Sequence, residues 1–340
     1  MNEMNETVVV AGGGGFIGGH LVAELRHRGA TEVRAVDVKP RDQWFQVFDD
    51  VENLELDLRE KRACEQAVSG AAQVFNLAAD MGGMGFIEHN KALCMLSVLI
   101  NTHLLQASAA GDVGRYFFGS SACVYAAEKQ VSPDVTALKE SDAYPAMPED
   151  GYGWEKLFSE RMCRHFAEDF GLGVRVARYH NVYGPHGTYA GGREKAPAAI
   201  CRKVAEAVIS GRHEIEIWGD GEQTRSFTYI DDAVEGTLRL MASDVAEPLN
   251  VGSSELVTVN ALVDFVEGIE GGVTLQRLYD VTAPQGVRGR NSDNTLIQER
   301  LDWQPSIPLR TGLERTYAWI WAQLTNTQGE VPSESLQQVP

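Results

Sequence analysis

Tyr152 and Lys156 stand in a Tyr-x-x-x-Lys spacing, which puts both side chains on one face of a helix. A tyrosinate on such a face is a base for a sugar hydroxyl, and an ammonium beside it lowers the phenol pKa. The same spacing arises by chance on solvated helices, so its weight comes from its neighbours. Ser120 and Ser121 close an apolar run, and Ser121 reads as the hydroxyl that hydrogen-bonds the alcohol being oxidised. Gly12, Gly15 and Gly18 form Gly-x-x-Gly-x-x-Gly straight after another apolar run, with Phe16 and Ile17 opening the helix that follows. Glycine is needed there because the turn is tight and a pyrophosphate must approach backbone N–H groups at a helix N-terminus. A turn serving packing alone is the alternative, and the strand–turn–helix context disfavours it.

Asp37 stands nineteen residues beyond Gly18, at the end of the second apolar run. A carboxylate there accepts from both ribose hydroxyls and repels a 2′-phosphate, which favours NAD over NADP. Lys39 and Arg41 nearby weaken that preference. Asp57 either accepts from an adenine amine or caps a helix. Leu77, closing a further strand, is placed with the cofactor.

These groups need a scaffold that gathers strand ends. Runs at 7–11, 32–37, 54–57, 72–77, 115–120 and 174–178 read as strands; 16–28, 90–110 and 152–170 read as helices, the last ended by Gly171. Their alternation predicts an α/β fold with a doubly wound parallel sheet and right-handed crossovers. Further on, a Gly-rich loop at 187–195 precedes a helix at 197–210. A strand at 214–218 stops at the turn Gly219-Asp220-Gly221, and helices are expected at 228–242, 258–267 and 309–324. The expected organisation is a dinucleotide-binding domain of residues 1–184 plus about 226–250, and a smaller α/β substrate domain of about 185–225 and 251–324. A disordered tail is expected at 325–340.

Composition narrows the partners. Thirty Lys and Arg against 48 Asp and Glu leave a net charge of −18, which argues against nucleic acid or an anionic membrane. A phosphorylated small molecule would then need a compact set of positioned Arg, Lys and backbone N–H groups. No uninterrupted apolar stretch reaches the roughly 20 residues that cross a bilayer, and the polar start at 1–7 does not read as a signal peptide. Cys64, Cys94, Cys123, Cys163 and Cys201 lack Cys-x-x-Cys spacing, so neither a disulfide framework nor a metal site is expected. A reducing, cytoplasmic compartment is the expectation.

Four segments add a resemblance: 76–86 (NLAADMGGMGF), 120–125 (SSACVY), 178–199 (RYHNVYGPHGTYAGGREKAPAA) and 286–294 (GVRGRNSDN). With the Tyr–Lys pair, the chain resembles the extended short-chain dehydrogenase/reductases and, within them, the GDP-mannose 3,5-epimerases, from about residue 8 to about 324. Departures lie in the N-terminal run, at 126–143 and around 205–213. The resemblance implies a Rossmann sheet, a retained NAD and a GDP-hexose substrate. GDP-D-mannose and GDP-L-galactose would interconvert through transient C4 oxidation, with a C5-only reaction giving GDP-L-gulose as the close variant.

Cys123 and Lys195 match the family's acid/base positions, one on each side of the sugar. Taken alone, Cys123 reads as a small buried hydrophobe and Lys195 as a loop cation on phosphate. A sugar 4,6-dehydratase would carry Asp-Glu where this chain has Ala122-Cys123. Substrate contacts are expected from Gly82, Ala122, Asn181, Glu194, Ala196, Lys203, Gln223 and Thr224, with Arg225, Arg288 and Arg290 as guanidinium forks on the diphosphate. Each cation singly reads as a surface charge, and guanine rests on the resemblance alone. His180 reads as structural, Met81 and Met84 as packing near nicotinamide or sugar, and Tyr183 and Trp218 as core or stacking residues. In the family the helices matching 90–110 and 152–170 form a dimer interface, so a homodimer is expected, with Leu96, Leu99 and Ile100 at the contact. Packing inside one subunit is the alternative. A net dehydrogenase or 4-reductase, and a non-catalytic NAD sensor, are the competing functions; the intact Ser121, Tyr152 and Lys156 argue against the sensor.

Overall fold

The computed structural model describes residues 7–111, 113–269 and 273–326. In chain order the strands are β1 (Thr7–Ala11), β2 (Val33–Asp37), β3 (Glu52–Glu55), β4 (Ala71–Asn76), β5 (Arg115–Ser121), β6 (Gly173–Tyr179), β7 (Val182–Tyr183), β8 (Glu214–Trp218), β9 (Thr224–Ser226), β10 (Thr228–Tyr229), β11 (Leu249–Val251), β12 (Leu256–Thr258), β13 (Gln276–Asp280) and β14 (Gly289–Arg290). The helices are α1 (Phe16–His27), α2 (Lys61–Val68), α3 (Met84–His89), α4 (Lys91–Met95), α5 (Ser97–Ala110), α6 (Tyr152–Phe170), α7 (Ala196–Ser210), α8 (Ile230–Ala242), α9 (Val259–Ile269), α10 (Thr295–Leu301) and α11 (Leu309–Asn326).

Seven parallel strands make the large sheet in the order β11-β6-β5-β4-β1-β2-β3. Alternation along each strand decides its two faces. Val8, Val10, Phe75 and Phe117 pack with Leu21 of α1 and Leu240 of α8. Val9, Ala11, Val74, Tyr116 and Phe118 point the other way, against Cys64 of α2, Leu104 of α5 and Cys163 of α6. The first of these cores continues through Val204, Leu262 and Leu313, so α7, α9 and α11 share it with the sheet. Winding reverses between β1 and β4, which opens a crevice at the strand carboxyl ends, where Ala11, Asp37, Asn76 and Ser121 sit.

The doubly wound sheet is as the sequence predicts, with β11 as an additional strand. Other elements differ. The third strand ends at Glu55, so Asp57 lies in the turn beyond it. Segment 90–110 is two helices: Asn90 (φ −131, ψ 36) caps α4, and Leu96 separates α4 from α5. That stretch, Lys91–Ala110, is long and apolar enough by length and composition to cross a membrane, with a mean hydropathy of 1.4, although Ser97, Asn101, Thr102, His103 and Gln106 interrupt its apolar run. In the fold α5 packs on α2 and α6 instead. Residues 228 and 229 are strand, and α8 starts at Ile230. Thr325 and Asn326 complete α11 rather than opening a tail. The remainder of the expected tail lies outside the described residues.

Candidate active site

Gly12 adopts φ +82, and a Cβ on Gly18 would sit 2.0 Å from the Gly12 carbonyl oxygen. Only glycine therefore lets α1 start so close to the turn. Gly15 is its N-cap and no side chain caps the first turn, which leaves backbone N–H groups for an anion. Beyond the turn lies a cavity of about 730 Å³, the size of a small-molecule site. Gly12, Gly15, Phe16, Ile17, Gly18, Asp37, Asp57 and Leu77 line it, as do Gly82, Ser121, Tyr152, Lys156 and Lys195. A cradle that side chains at Gly12 or Gly18 would disrupt, running from a helix N-terminus to a Tyr–Lys pair, fits a dinucleotide.

Asp37 is buried, and its Oδ1 accepts from the Lys39 backbone N–H at 3.1 Å. Lys39 turns its own Nζ to the Gly14 carbonyl at 3.1 Å. Asp57 is gripped by Arg59 at 2.6 to 3.1 Å, and that contact holds its carboxyl below the usual range. The N-cap of α2 is Glu60, so of the two roles open to Asp57 helix capping is removed.

Tyr152 is the first residue of α6 and Lys156 lies one turn on, both buried. Lys156 Nζ is 5.5 Å from the centre of the Tyr152 ring, 4.7 Å from that of Phe118 and 3.6 Å from the Glu155 carboxylate. Behind them Arg178 forks onto Glu160 at 2.9 and 2.7 Å, and Ser120 donates to the same carboxylate at 2.5 Å. This buried unit ties β5 and β6 to α6 and so fixes Ser121 relative to Tyr152. The expectation of a lowered phenol pKa is reversed here. Burial pushes the Tyr152 hydroxyl well above its ordinary value, Cys123 and Glu155 add to it, and Ser121 opposes.

Cys123 follows β5 in a single helical turn, where its N–H donates to Ser121 Oγ at 3.2 Å. Burial, with Glu149 adding and Arg290 opposing, raises its thiol to about 11. Lys195 caps α7. Burial holds its ammonium below the ordinary value, Cys123 pulls it up and Arg290 pushes it down. The thiol and the amine, 72 positions apart, thus share one electrostatic neighbourhood beside Ser121 and Tyr152. Gly82 and Gly83 help to bring Lys195 there. A Cβ on Gly83 would meet the Glu194 carbonyl oxygen at 2.4 Å, and one on Gly82 the Arg193 Cα at 3.2 Å. The close approach these glycines allow is thus made by the chain's own 193–194 backbone.

The remaining substrate residues are gathered unevenly. Arg225 and Arg290 are register partners on β9 and β14, with Arg288 just before. Arg225 donates to the carbonyls of Thr224, Gln285 and Val287 at 2.7, 3.2 and 2.5 Å; burial, then Arg290, lowers it to about 10. Arg288 forks onto Asp220 at 2.8 Å on both arms. Gln223 Nε2 donates to the Trp218 carbonyl at 2.8 Å while its Oε1 is buried without a partner, and Thr224 donates to the Pro133 carbonyl at 2.6 Å. Asn181, at φ +43, donates to the Ser226 carbonyl at 3.0 Å. Glu194 accepts from the Gly192 N–H at 2.7 Å and lies 3.5 Å from Arg202, Ala196 opens α7, and Ala122 is buried beside Cys123.

Two of the expected substrate cations have partners inside the protein. Lys203 donates to the Glu216 carbonyl at 2.9 Å. Arg290 donates to Gln130, Cys123 and Glu149, just as Arg225 is bonded to carbonyls and Arg288 to Asp220. His180 is buried on Asn250 at 3.0 Å, Met81 lines the cavity, and Tyr183 is core, its hydroxyl on the Leu309 carbonyl at 3.0 Å. Trp218 is half-exposed over Gly85 rather than in the core. Missed altogether were Glu149 and Gln130 around Cys123, and Arg193, which pairs with Asp80 at 2.7 Å and lies 3.7 Å over the Phe86 ring. No spacing rule points to them. Only an acid three residues before Tyr152 was available as a signal.

The sequence model of the NAD-dependent epimerase/dehydratase family matches residues 8–252. A GDP-mannose 3,5-epimerase of Arabidopsis thaliana is 44% identical over 333 residues, covering 98% of this chain and 86% of its own. A GDP-mannose 3,5-epimerase of Oryza sativa subsp. japonica is 46% identical over 325 residues, covering 95% and 84%. Among solved structures, the UDP-glucose 4-epimerase of Thermotoga maritima with UDP-glucose superposes with a TM-score of 0.83 at 26% identity, covering 94% of this chain and 99% of that one.

Proposed function

Because the chain belongs to the NAD-dependent epimerase/dehydratase family, we propose that it epimerises GDP-mannose at C3 and C5, with GDP-L-galactose as the product. One observation carries this reading beyond the family: Cys123 and Lys195 share the neighbourhood of Ser121 and Tyr152, which gives a carbon acid/base pair beside an alcohol-oxidising pair. A C4 epimerase has no use for the second pair. Relatives at 44 and 46% identity carrying the name support the substrate.

Gly12, Gly15, Gly18 and Asp37 would hold NAD, which would supply a reversible hydride acceptor for C4 of the hexose. Ser121 hydrogen-bonds the C4 oxygen and the Tyr152 phenolate takes its proton, with Lys156 on the next turn stabilising that phenolate against the burial that otherwise keeps the phenol protonated. A ketone at C4 makes the C3 and C5 hydrogens acidic. Cys123 removes the proton from one face and Lys195 delivers one to the other, which inverts the carbon. Arg225 and Arg288 would steady the diphosphate by exchanging the Val287 carbonyl and Asp220 for it. Incubation with GDP-mannose in D₂O tests the reading: deuterium is expected at C5 and C3 with no net cofactor consumption. Label at C5 alone would select the GDP-L-gulose product. Stoichiometric NADH without label would replace the epimerase with a net dehydrogenase.

A homodimer is part of the same reading. Leu96 and Leu99 on one side, and Trp154 and Phe158 on α6, are exposed at 43, 38, 41 and 56%. Four large apolar side chains on neighbouring helices make a patch that a second copy of the chain would cover.

A further inference from the structure

Behind the Cys123 thiol lies a buried charged unit that the acid/base pair leaves unexplained. Arg290 divides its guanidinium among three partners. Nε donates to Gln130 Oε1 at 2.6 Å, Nη1 to Cys123 Sγ at 3.6 Å and Nη2 to Glu149 Oε1 at 2.9 Å. A planar fork with sulfur on one arm and a carboxylate on the other sets those two groups side by side. The backbone makes the arrangement stiff. The Glu149 N–H donates to the Cys123 carbonyl at 3.0 Å, and the Arg288 N–H to the Gln130 carbonyl at 2.9 Å. A Cβ on Gly289 would meet the Ser132 carbonyl oxygen at 2.2 Å, so glycine alone lets β14 lie this close. The side chains of Arg290 and Glu149 are only 6 and 12% exposed. Glu149 Oε2 is buried with no hydrogen-bond partner, an arrangement costly enough that a purely structural pair would be expected to avoid it.

We propose that Arg290 and Glu149 are positioning residues for Cys123: Arg290 aims the sulfur and stabilises its thiolate, while Glu149 holds Arg290 in place and keeps the resting thiol protonated. The proposal deepens the epimerase reading and rests on it for its consequence. The thiolate of a thiol whose pKa a neighbouring carboxylate has raised is the stronger base toward a carbon acid, and the adjacent guanidinium stabilises that anion when it forms. The electrostatics agree with the geometry. Burial raises the Glu149 carboxyl, but Arg290, the thiol and Arg225 outweigh it and hold it below the ordinary range, so it is ionised at rest. The same carboxylate adds to burial in raising Cys123, against Arg290. The charged and titratable groups around the thiol are therefore Glu149 and Arg290 behind it, Arg225 on β9, and Tyr152 and Lys195 on the cavity side.

The decisive measurement is the pH dependence of Cys123 alkylation by iodoacetamide, followed by peptide mass on the full chain with Cys123→Ser as blank. Between pH 7 and 10 the wild-type rate is expected to climb about tenfold per pH unit without levelling, because the thiol ionises above that window. In Glu149→Gln alkylation should be about tenfold faster or more between pH 7 and 9 and the curve should begin to bend near pH 10, a fall of at least about one unit in the thiol pKa, since Arg290 is no longer opposed. Arg290→Gln should slow alkylation at every pH, and Arg290→Lys should recover part of it. Deuterium wash-in at C5 should fall in Glu149→Gln and in Arg290→Gln alike, the first having a weaker base and the second a destabilised anion, while cofactor reduction by GDP-mannose persists. Curves that coincide in wild type and Glu149→Gln overturn the proposal. If Arg290→Gln does not fold, the Glu149→Gln curve decides alone. Wild-type protein that exchanges no carbon hydrogen removes the epimerase reading, and the substrate-free alkylation curves still rule on the pair.

Discussion

A methyl group on Gly153 would come within 2.4 Å of the carbonyl oxygen of Cys123. The start of α6 is thus pressed against the turn that carries the thiol, and Tyr152 and Cys123 fall in one buried cluster with Ile87 and Cys94. On the proposed reaction, the distance between the base for the C4 hydroxyl and the base for its neighbouring carbon is fixed by an absent side chain. Gly153→Ala must move one backbone against the other, at a cost of about 1–3 kcal/mol in stability. It should slow deuterium wash-in more than cofactor reduction, because the two groups no longer reach one sugar together. Thermal unfolding and the two half-reactions, measured on the same preparation, check this. An alanine variant with wild-type exchange would show that the contact does not set the spacing.

Lys195→Met keeps much of the side-chain length and removes the exchangeable proton. Cofactor reduction should survive, and deuterium incorporation should fall by at least about 100-fold, the usual weight of a positioned acid. The pH dependence has a definite sign. Burial holds the Lys195 ammonium below its ordinary value, so the donor is lost as pH rises. Wild-type exchange should decline on the alkaline side before the roughly 10.4 at which a free lysine titrates. A methionine variant that still labels C5 would assign the amine to phosphate contact instead.

Asp37 ends β2 buried, with a carboxylate facing the cavity and Lys39 drawn toward Gly14. Asp37→Asn removes the charge that repels a 2′-phosphate and weakens the grip on the ribose. NAD affinity should fall about tenfold, or ~1.4 kcal/mol, and NADP affinity should rise. Titration calorimetry with both cofactors reads this directly. An unchanged preference would place selectivity elsewhere.

What the chain disclosed before its structure follows from range. The strand β1, the glycine turn, Asp37 and the Tyr152–Lys156 pair are set by local periodicity and by spacings within one βαβ unit, and all lie where expected. The break of 90–110 into α4 and α5 was hidden because the apolar pattern runs through it; Asn90 and Leu96 interrupt the backbone without a proline or glycine. Short strands such as β9 and β14 are two or three residues long and exist through their partners. The contact of Arg290 with the thiol was hidden for the same reason. The arginine's partners Gln130 and Glu149 are 160 and 141 positions away, and only the pairing of β9 with β14 brings it to the thiol.

The exposed patch of Leu96, Leu99, Trp154 and Phe158 gives the dimer a direct test. Leu99→Glu with Phe158→Glu puts two charges where a second copy would bury apolar surface. Light scattering after gel filtration should show the mass in solution halve, with the fold intact by circular dichroism. Wild-type protein that is already monomeric at tens of micromolar would leave the patch without this partner.

His180 lies fully buried between β6 and β7, its Nε2 on Asn250 Oδ1 at 3.0 Å and its Nδ1 without a partner. Burial is the largest influence on it, and with Arg290 and Arg178 it outweighs the Asn250 contact and lowers the imidazole to about 3. An unfolded histidine titrates near 6.5. Between those values the unfolded chain binds a proton that the native chain refuses. Stability from this group is therefore complete above about pH 6.5 and is lost as pH falls toward 3, by up to about 1.4 kcal/mol per pH unit. Urea midpoints at pH 7, 6 and 5 should drop steadily in the wild type. His180→Asn is less stable at pH 7 but has no imidazole to charge, so its midpoints should fall less steeply. Parallel slopes in the two proteins would mean that some other group governs the acid side.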